Sequence, residues 1–242
     1  MKKALLIFAK EPVPGTVKTR LARDLDVHAA AELYAAMLGD VLETAVSLSD
    51  VRPLVFWALE TGTVPGCPEF PGLEMFEQQG VDLGEKMRNA FIHAFGLGFE
   101  TCCCIGSDMP DLAIGHIRQA FRNLESPEAD VVFGPAADGG YYLVGMKKMH
   151  PHLFADIAWS TPAVLATSLE RARGLGLRTS LLEPWYDIDT LDDLARLLGT
   201  GATNAPRTRR AAAGLLRDRD VTFTTRTKTP SPLQGHPPCH RS

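Results

Sequence analysis

Short apolar runs alternate with longer amphipathic segments along most of this chain, a pattern that predicts a layered βαβ fold. Lys3-Ala4-Leu5-Leu6-Ile7-Phe8 reads as a strand buried on both faces. From about His28 to Leu48, Ala31, Leu33, Tyr34, Met37, Leu38, Val41, Leu42 and Ala45 recur at helical spacing. Strands are expected at Leu54 to Leu59 and Leu73 to Phe76. Asp82-Leu83-Gly84-Glu85 opens the next helix, with Asp82 as N-cap and Glu85 three positions on. Thr101 to Ile105 is a further buried strand, and Asp111 to Leu124 a helix with Asp111 as its cap. Asp130 to Phe133 and Tyr141 to Gly145 are strands around a glycine turn. A helix from Pro162 to Arg173, a strand from Arg178 to Leu182 and a helix from the Thr190 cap to Leu198 complete the pattern. Beyond Gly199 the composition turns to Thr, Arg and Pro. The expected organisation is one α/β domain over residues 1–200 and a basic C-terminal extension over 201–242, disordered or weakly docked from Asp220 onward.

Composition narrows the partners. A chain of 242 residues, 45% hydrophobic and 22% charged, is an ordinary globular protein, and a net charge of -4 gives no global attraction to nucleic acid or anionic membrane. Any basic site must be local. The opening Met1-Lys2-Lys3 and its apolar run meet Lys10, Glu11 and Pro12 before a signal peptide could develop, and no stretch is long and apolar enough to span a bilayer. The cytoplasm is the expected compartment. Cys102, Cys103 and Cys104 are consecutive in a strand, where neighbours face opposite ways, so they read as packing residues rather than a metal or redox centre. Cys67 lies in a proline-rich loop and Cys239 in the tail.

The most informative polar segment is Phe8-Ala9-Lys10-Glu11-Pro12-Val13-Pro14-Gly15-Thr16-Val17-Lys18-Thr19-Arg20-Leu21. Pro12 and Pro14 stiffen it and Gly15 permits a sharp bend. It lies at the carboxyl end of a buried strand, where open α/β sheets bind ligands. Lys10, Lys18 and Arg20 could converge there on a phosphate chain, Arg20 as a fork and the lysines as point charges. Spacing rules out the commoner phosphate loops. A dinucleotide fingerprint needs three glycines and this loop has Gly15 alone, and Lys18-Thr19 is preceded by Val17 where a P-loop has glycine.

Three further segments carry candidate chemistry. Gly106-Ser107-Asp108-Met109-Pro110-Asp111 follows the cysteine strand and puts Asp108 at a second carboxyl strand end, where a carboxylate and substrate phosphates suit magnesium or manganese. In Tyr186-Asp187-Ile188-Asp189-Thr190, Thr190 with Asp193 fits an N-cap, whereas Asp187 and Asp189 precede it on one face of an extended segment. Either is a candidate second metal carboxylate, with Asp189 preferred. Asp138-Gly139-Gly140-Tyr141 reads equally as a hairpin turn or as exposed amides for a ligand, with Asp138 accepting from hydroxyl groups. Trp159-Ser160-Thr161 reads as core plus a helix cap, or as part of the same pocket.

Taken together, Phe8-Ala9-Lys10-x-Pro-x-Pro14-Gly15-x-Val-Lys18-Thr-Arg20-Leu, Gly106-Ser-Asp108-x-Pro110, Asp138-Gly-Gly-Tyr141, Trp159-Ser-Thr161 and Asp187-Ile-Asp189-Thr190 resemble a bacterial family of nucleotide-diphospho-sugar transferases. That family has the A-type glycosyltransferase fold; some members are associated with arsenosugar biosynthesis, and it is similar to the phospholactate and molybdopterin nucleotidyltransferases. The resemblance runs from Lys3 to about Leu198. It implies a single-domain, three-layer α/β/α fold with a mostly parallel central sheet. It also implies nucleotide binding by Ala9, Lys10, Pro14, Gly15, Lys18, Arg20, Asp82 and Asp108, with Asp82 to Lys86 bordering the nucleotide or sugar. Mg2+ or Mn2+ would be held by Asp108 and Asp189 or Asp187, and an acceptor or sugar pocket formed by Gly139, Gly140, Tyr141, Trp159, Ser160 and Thr161. Lys18, Arg20 and Asp138 are the expected catalytic residues. One departure matters: the Asp-x-Asp metal motif common in glycosyltransferases of this fold stands here as Ser107-Asp108, its first residue lost or shifted. The departure leaves nucleotidyl transfer in play, and the expected activity is glycosyl transfer from a nucleotide sugar to a small acceptor. The alternatives are nucleotidyl transfer from an NTP to a phosphorylated metabolite, and a non-catalytic nucleotide sensor.

Overall fold

Six apolar residues in a row cannot be left half in water, and the strand they form is the centre of the sheet. This is β1 (Lys3–Lys10), whose Ala4, Leu5, Leu6 and Ile7 are fully buried. The computed structural model describes residues 2–60, 62 and 69–223, with side chains as far as 217. Around β1 stand β2 (Val51–Ala58), β3 (Glu74–Glu77), β4 (Thr101–Gly106), β5 (Val131–Pro135), β6 (Tyr141–Met146) and β7 (Thr179–Leu181), in the order β3-β2-β1-β4-β6-β5-β7. β6 runs antiparallel to both neighbours, and the other pairings are parallel.

Helices cover both faces. α2 (Val27–Val46) and α4 (Ile114–Glu125) pack on one side, where Leu38, Val41 and Leu42 meet Leu5, Ile7 and Cys103, and Ile117, Phe121 and Leu124 extend the cluster. α3 (Leu83–Gly96) and α5 (Val164–Gly174) pack on the other, where Met87, Phe91 and Ala172 belong with Leu6, Cys102 and Cys104. The cysteines thus alternate between the two layers as strand geometry requires, and burial pushes the Cys102 thiol up to about 12 and Cys103 and Cys104 up as well, so they are inert packing groups. The short α1 (Leu21–Asp24) joins a third cluster that includes Leu33, Met37, Ile188 and Leu197 of α6 (Leu191–Gly199).

That cluster also takes in Ala212 of α7 (Pro206–Phe223), in the segment where the sequence pattern predicts an extension. α7 docks because Asp40 of α2, itself buried, accepts from Arg207 N at 3.1 Å, Thr208 N at 2.7 Å and Thr208 Oγ1 at 2.6 Å. A carboxylate from another helix thereby satisfies amides that the first turn leaves open. The helix is therefore part of the same packed body, and the compositional change at Gly199 does not mark the edge of the fold. The expected tail beyond 223, with Cys239, and the loop residue Cys67 lie outside the described residues. Among the described residues no helix is long and apolar enough to cross a membrane.

The position of β1 sets the position of the site. Its neighbours β2 and β4 leave in opposite directions across the sheet, so a crevice opens between the carboxyl ends of β1 and β4.

Candidate active site

The first loop is pinned at its middle rather than its ends. Gly15, at φ +87°, makes the bend, and Val17 is buried with Ala31 and Tyr34 of α2. This apolar pin carries the next residue inward. Lys18 takes a left-handed φ of +46°, and its side chain is only 3% exposed. Its ammonium lies 2.5 Å from Asp108 Oδ1 and 3.0 Å from Asp189 Oδ1. Arg20 stays 72% exposed, with Nη1 3.6 Å from Asp189 Oδ2. Lys10 is exposed at the end of β1, as are Pro14 and Gly15. Of the three cations expected to converge on an anion, Lys18 is engaged inward, by carboxylates, while Lys10 and Arg20 face solvent.

The acids come from segments far apart in the chain, one after β4 and the other in the connection from β7 to α6. Asp108 follows β4, and its carbonyl accepts from Ile188 N at 3.0 Å, which binds the two acidic segments together. Asp111 does not cap a helix. α4 begins at Ile114, and the Asp111 carboxylate instead accepts from Tyr186 Oη at 2.8 Å and Trp185 Nε1 at 3.3 Å. It is a buried anchor for the segment that carries Asp187 and Asp189. Thr190 and Asp193 form the expected capping box. The Asp187 carboxyl is pushed up to about 7, first by burial and then by the charges of Asp108 and Asp189, with Asp138 adding to the effect. Burial pulls the Lys18 ammonium down, but Asp108 and Asp189 raise it by more, so the residue stays charged.

Lys18, Asp108 and Asp187 line a cavity of about 430 Å³ that also takes in Ala9, Phe8, Lys86, Met87 and Tyr141, while Asp189 lies outside that lining. Tyr34 closes its floor. The hydroxyl accepts from Lys10 N at 2.9 Å and meets Ser107 Oγ at 2.7 Å, tying the first loop to the Asp108 loop. Gln78 does the same for the strand ends, donating from Nε2 to Ala9 O at 3.3 Å and Phe56 O at 2.9 Å. Sequence reasoning missed both. Tyr34 sits in a helical apolar stripe with nothing to mark its hydroxyl, and Gln78 offered only a polar pair before a glycine.

The remaining candidates are placed as follows. Asp82 caps α3, accepting from Glu85 N at 2.8 Å, and Leu83 and Lys86 behind it reach the cavity. Asp138 is exposed and accepts from Gly140 N at 2.9 Å. Gly139, at φ +90°, is needed by the protein's own chain: a Cβ there would stand 2.2 Å from Pro162 O. Tyr141 lines the cavity, and Trp159 packs behind it at 6.4 Å between ring centroids and against Gly84. Ser160 is exposed at φ +62°, and Thr161 Oγ1 donates to Ala158 O at 2.8 Å rather than capping α5, whose N-cap is Ala163. Gly139, Gly140, Trp159, Ser160 and Thr161 are outside the cavity lining.

Whether a divalent cation fits can be judged from the donors. Among the described residues no group of three or more His, Cys, Asp or Glu is arranged to hold an ion. Asp108 and Asp189 nevertheless aim carboxylate oxygens at one point, the Lys18 ammonium, and Asp187 adds a third crowded acid. Two hard oxygen donors with room for substrate oxygens suit an ion of the magnesium type, which is bound by few carboxylates and by phosphates. The donor set fits, with Lys18 in contact with the same oxygens.

A mostly parallel sheet with one antiparallel strand, a basic first loop and acids at a topological switch point define the nucleotide-diphospho-sugar transferase fold. The chain belongs to the bacterial family DUF2064, described as an uncharacterized protein conserved in bacteria, whose model matches residues 41–161. It is similar to a Desulfovibrio desulfuricans G20 protein described as a "putative nucleotide-diphospho-sugar transferase", at 32% identity and a TM-score of 0.77, over 93% of this chain and 98% of that one. Two more distant structures share the fold. CMP:2-keto-3-deoxy-manno-octonic acid synthetase complexed with CTP is 12% identical with a TM-score of 0.52, over 81% of this chain and 97% of that one. Rv0371c from Mycobacterium tuberculosis H37Rv is 16% identical with a TM-score of 0.52, over 83% and 100%. No curated protein matches.

Proposed function

We propose that this protein is a metal-dependent transferase that binds a nucleoside diphosphate sugar and passes its glycosyl group to a small acceptor. The observation that carries the reading is the gathering of Lys18, Asp108 and Asp187 along one cavity between β1 and β4, with Asp189 on the Lys18 ammonium beside it. The description of the 32% identical relative supports the donor class. In such a transfer the bond from the anomeric carbon to the diphosphate breaks, and negative charge grows on the leaving group. Cations positioned at that charge lower the barrier, because they act more strongly there than on the ground state. We assign that role to Lys18 and Arg20. A divalent cation held by Asp108 and Asp189 would, when bound, share the phosphate oxygens and offset the same charge. Asp138, exposed and within electrostatic reach of Asp187, is the candidate to take the acceptor's proton. The apolar side chains of Phe8, Met87 and Tyr141 limit water in part of the cavity.

A second reading, nucleotidyl transfer from an NTP, draws support from the loop after β4. It presents the single carboxylate of Asp108, because Gly106 stands two residues before it, where an Asp-x-Asp motif would put another acid, and the hydroxyl of the intervening Ser107 is taken by Tyr34. A thermal-shift screen of NTPs and nucleotide sugars, each with and without Mn2+, tests the shared premise. Metal-dependent stabilisation by one nucleotide class is expected, and no response to any of them would sink both readings. Release of a nucleoside diphosphate then marks glycosyl transfer, and release of pyrophosphate marks the rival.

A further inference from the structure

Lys18 belongs to the loop expected to grip phosphate, yet its ammonium is spent on the acids expected to grip a metal. One point in space is thus contested by two cations. The lysine is firmly installed there: its side chain is 3% exposed, its neighbour Val17 is locked under α2, and its carbonyl accepts from Ala22 N at 2.8 Å to begin the next turn. Its left-handed backbone is sparsely populated for a residue with a Cβ, a conformation that persists only when surrounding contacts enforce it. Arg20, the other cation at Asp189, is solvent-exposed and free to follow a ligand.

We infer that Lys18 is a resident counter-ion that competes with the divalent cation for Asp108 and Asp189, so that metal binds tightly only when nucleotide phosphates draw the ammonium away. This rests on the metal-assisted nucleotide chemistry proposed above. The logic is charge balance. With the ammonium in contact with both carboxylates, an incoming dication meets a like charge and shared oxygens. A diphosphate offers the ammonium equivalent oxygens and brings its own ligands for the metal, so each partner favours the other. The device keeps the acids from binding metal without substrate, and it makes nucleotide and metal enter as a coupled pair.

Mn2+ binding to the full chain, followed by the EPR signal of the free ion, tests this without any turnover. The proteins are wild type and Lys18→Met, each with Mn2+ alone and with ADP, GDP, CDP or UDP in turn. Without nucleotide, Lys18→Met should bind Mn2+ on the order of 10-fold or more tighter than wild type, within the usual range of coupling between sites. A cognate nucleotide should tighten Mn2+ binding to wild type more than to the variant. Equal Mn2+ affinity of the two nucleotide-free proteins would overturn the inference, even if nucleotide and Mn2+ bind together as the transferase reading requires. Tighter Mn2+ binding to the variant with no response to any nucleotide would leave the competition standing and remove the transferase reading. Should Lys18→Met fail to fold, the wild type carries the test through the 15N resonance of the Lys18 ammonium. Mg2+ with the nucleotide should move that resonance while Mg2+ alone leaves it, and displacement by Mg2+ alone would refute the coupling.

Discussion

Replacing Tyr34 by Phe removes one oxygen atom and leaves the shape of the interior intact. The ring is buried, its hydroxyl joins Lys10 N and Ser107 Oγ, and burial pushes its pKa up to about 12, so it is a neutral hydroxyl at every working pH. No cavity opens, so the loss is confined to two hydrogen bonds and the polar groups they leave behind. An unpaired buried donor or acceptor costs about 1–3 kcal/mol; with Ser107 buried and Lys10 N partly reached by water, the sum is about 2–4 kcal/mol. For a chain of this size that lowers Tm by roughly 5–15 °C. Differential scanning calorimetry of wild type, Tyr34→Phe, Ser107→Ala and the double variant measures it. The double variant should lose less than the two single variants combined, because each single change already breaks the shared bond. Strict additivity, or a Tyr34→Phe melt indistinguishable from wild type, would show that the hydroxyl does not hold the first loop to the Asp108 loop.

Other consequences follow from the same structure. Asp40→Ala strips the three donors at the start of α7 of their acceptor and should destabilise by about 2–4 kcal/mol, with limited proteolysis cutting first near Pro206; cleavage unchanged from wild type would contradict the docking. Gly139→Ala meets the Pro162 carbonyl and a positive φ at once, so a loss of about 1–3 kcal/mol in urea unfolding is expected. Asp130 accepts from Arg178 at Nε and Nη2, bonds that hold its carboxyl well below the ordinary value. A depressed folded pKa means the contribution is present above the unfolded value of about 3.9 and fades as pH falls through the folded one. The gap in urea midpoint between wild type and Asp130→Asn should therefore be wider at neutral pH than in strong acid; a constant gap would rule out this linkage.

The sheet and its helices were largely legible, and the reasons are local. β4 was readable because a strand inside a sheet covered by helices on both faces is apolar on both, and Thr190 with Asp193 because a capping box closes within one turn. α7 escaped the pattern because its first turn is held by Asp40 of another helix rather than by a cap in its own sequence. Asp111 was misread for a related reason. After a proline and before apolar residues it has the context of a cap, but its partners Tyr186 and Trp185 arrive from the far end of the chain. The glycines after Asp138 were readable as backbone freedom; that Gly139 spends it on Pro162 was not.

Composition and periodicity by themselves determined an α/β domain, a stiff basic loop at the end of its first strand, and acids after a later strand and before the Thr190 cap. They could not say which cation meets which acid. Lys18 and Asp189 stand 171 residues apart in sequence and 3.0 Å apart in space. Apolar burial is written along the chain at the period of each element, whereas electrostatic contact depends only on distance after folding. The lysine therefore looked like a phosphate ligand in the sequence, and the tertiary structure made it the counter-ion of the acids.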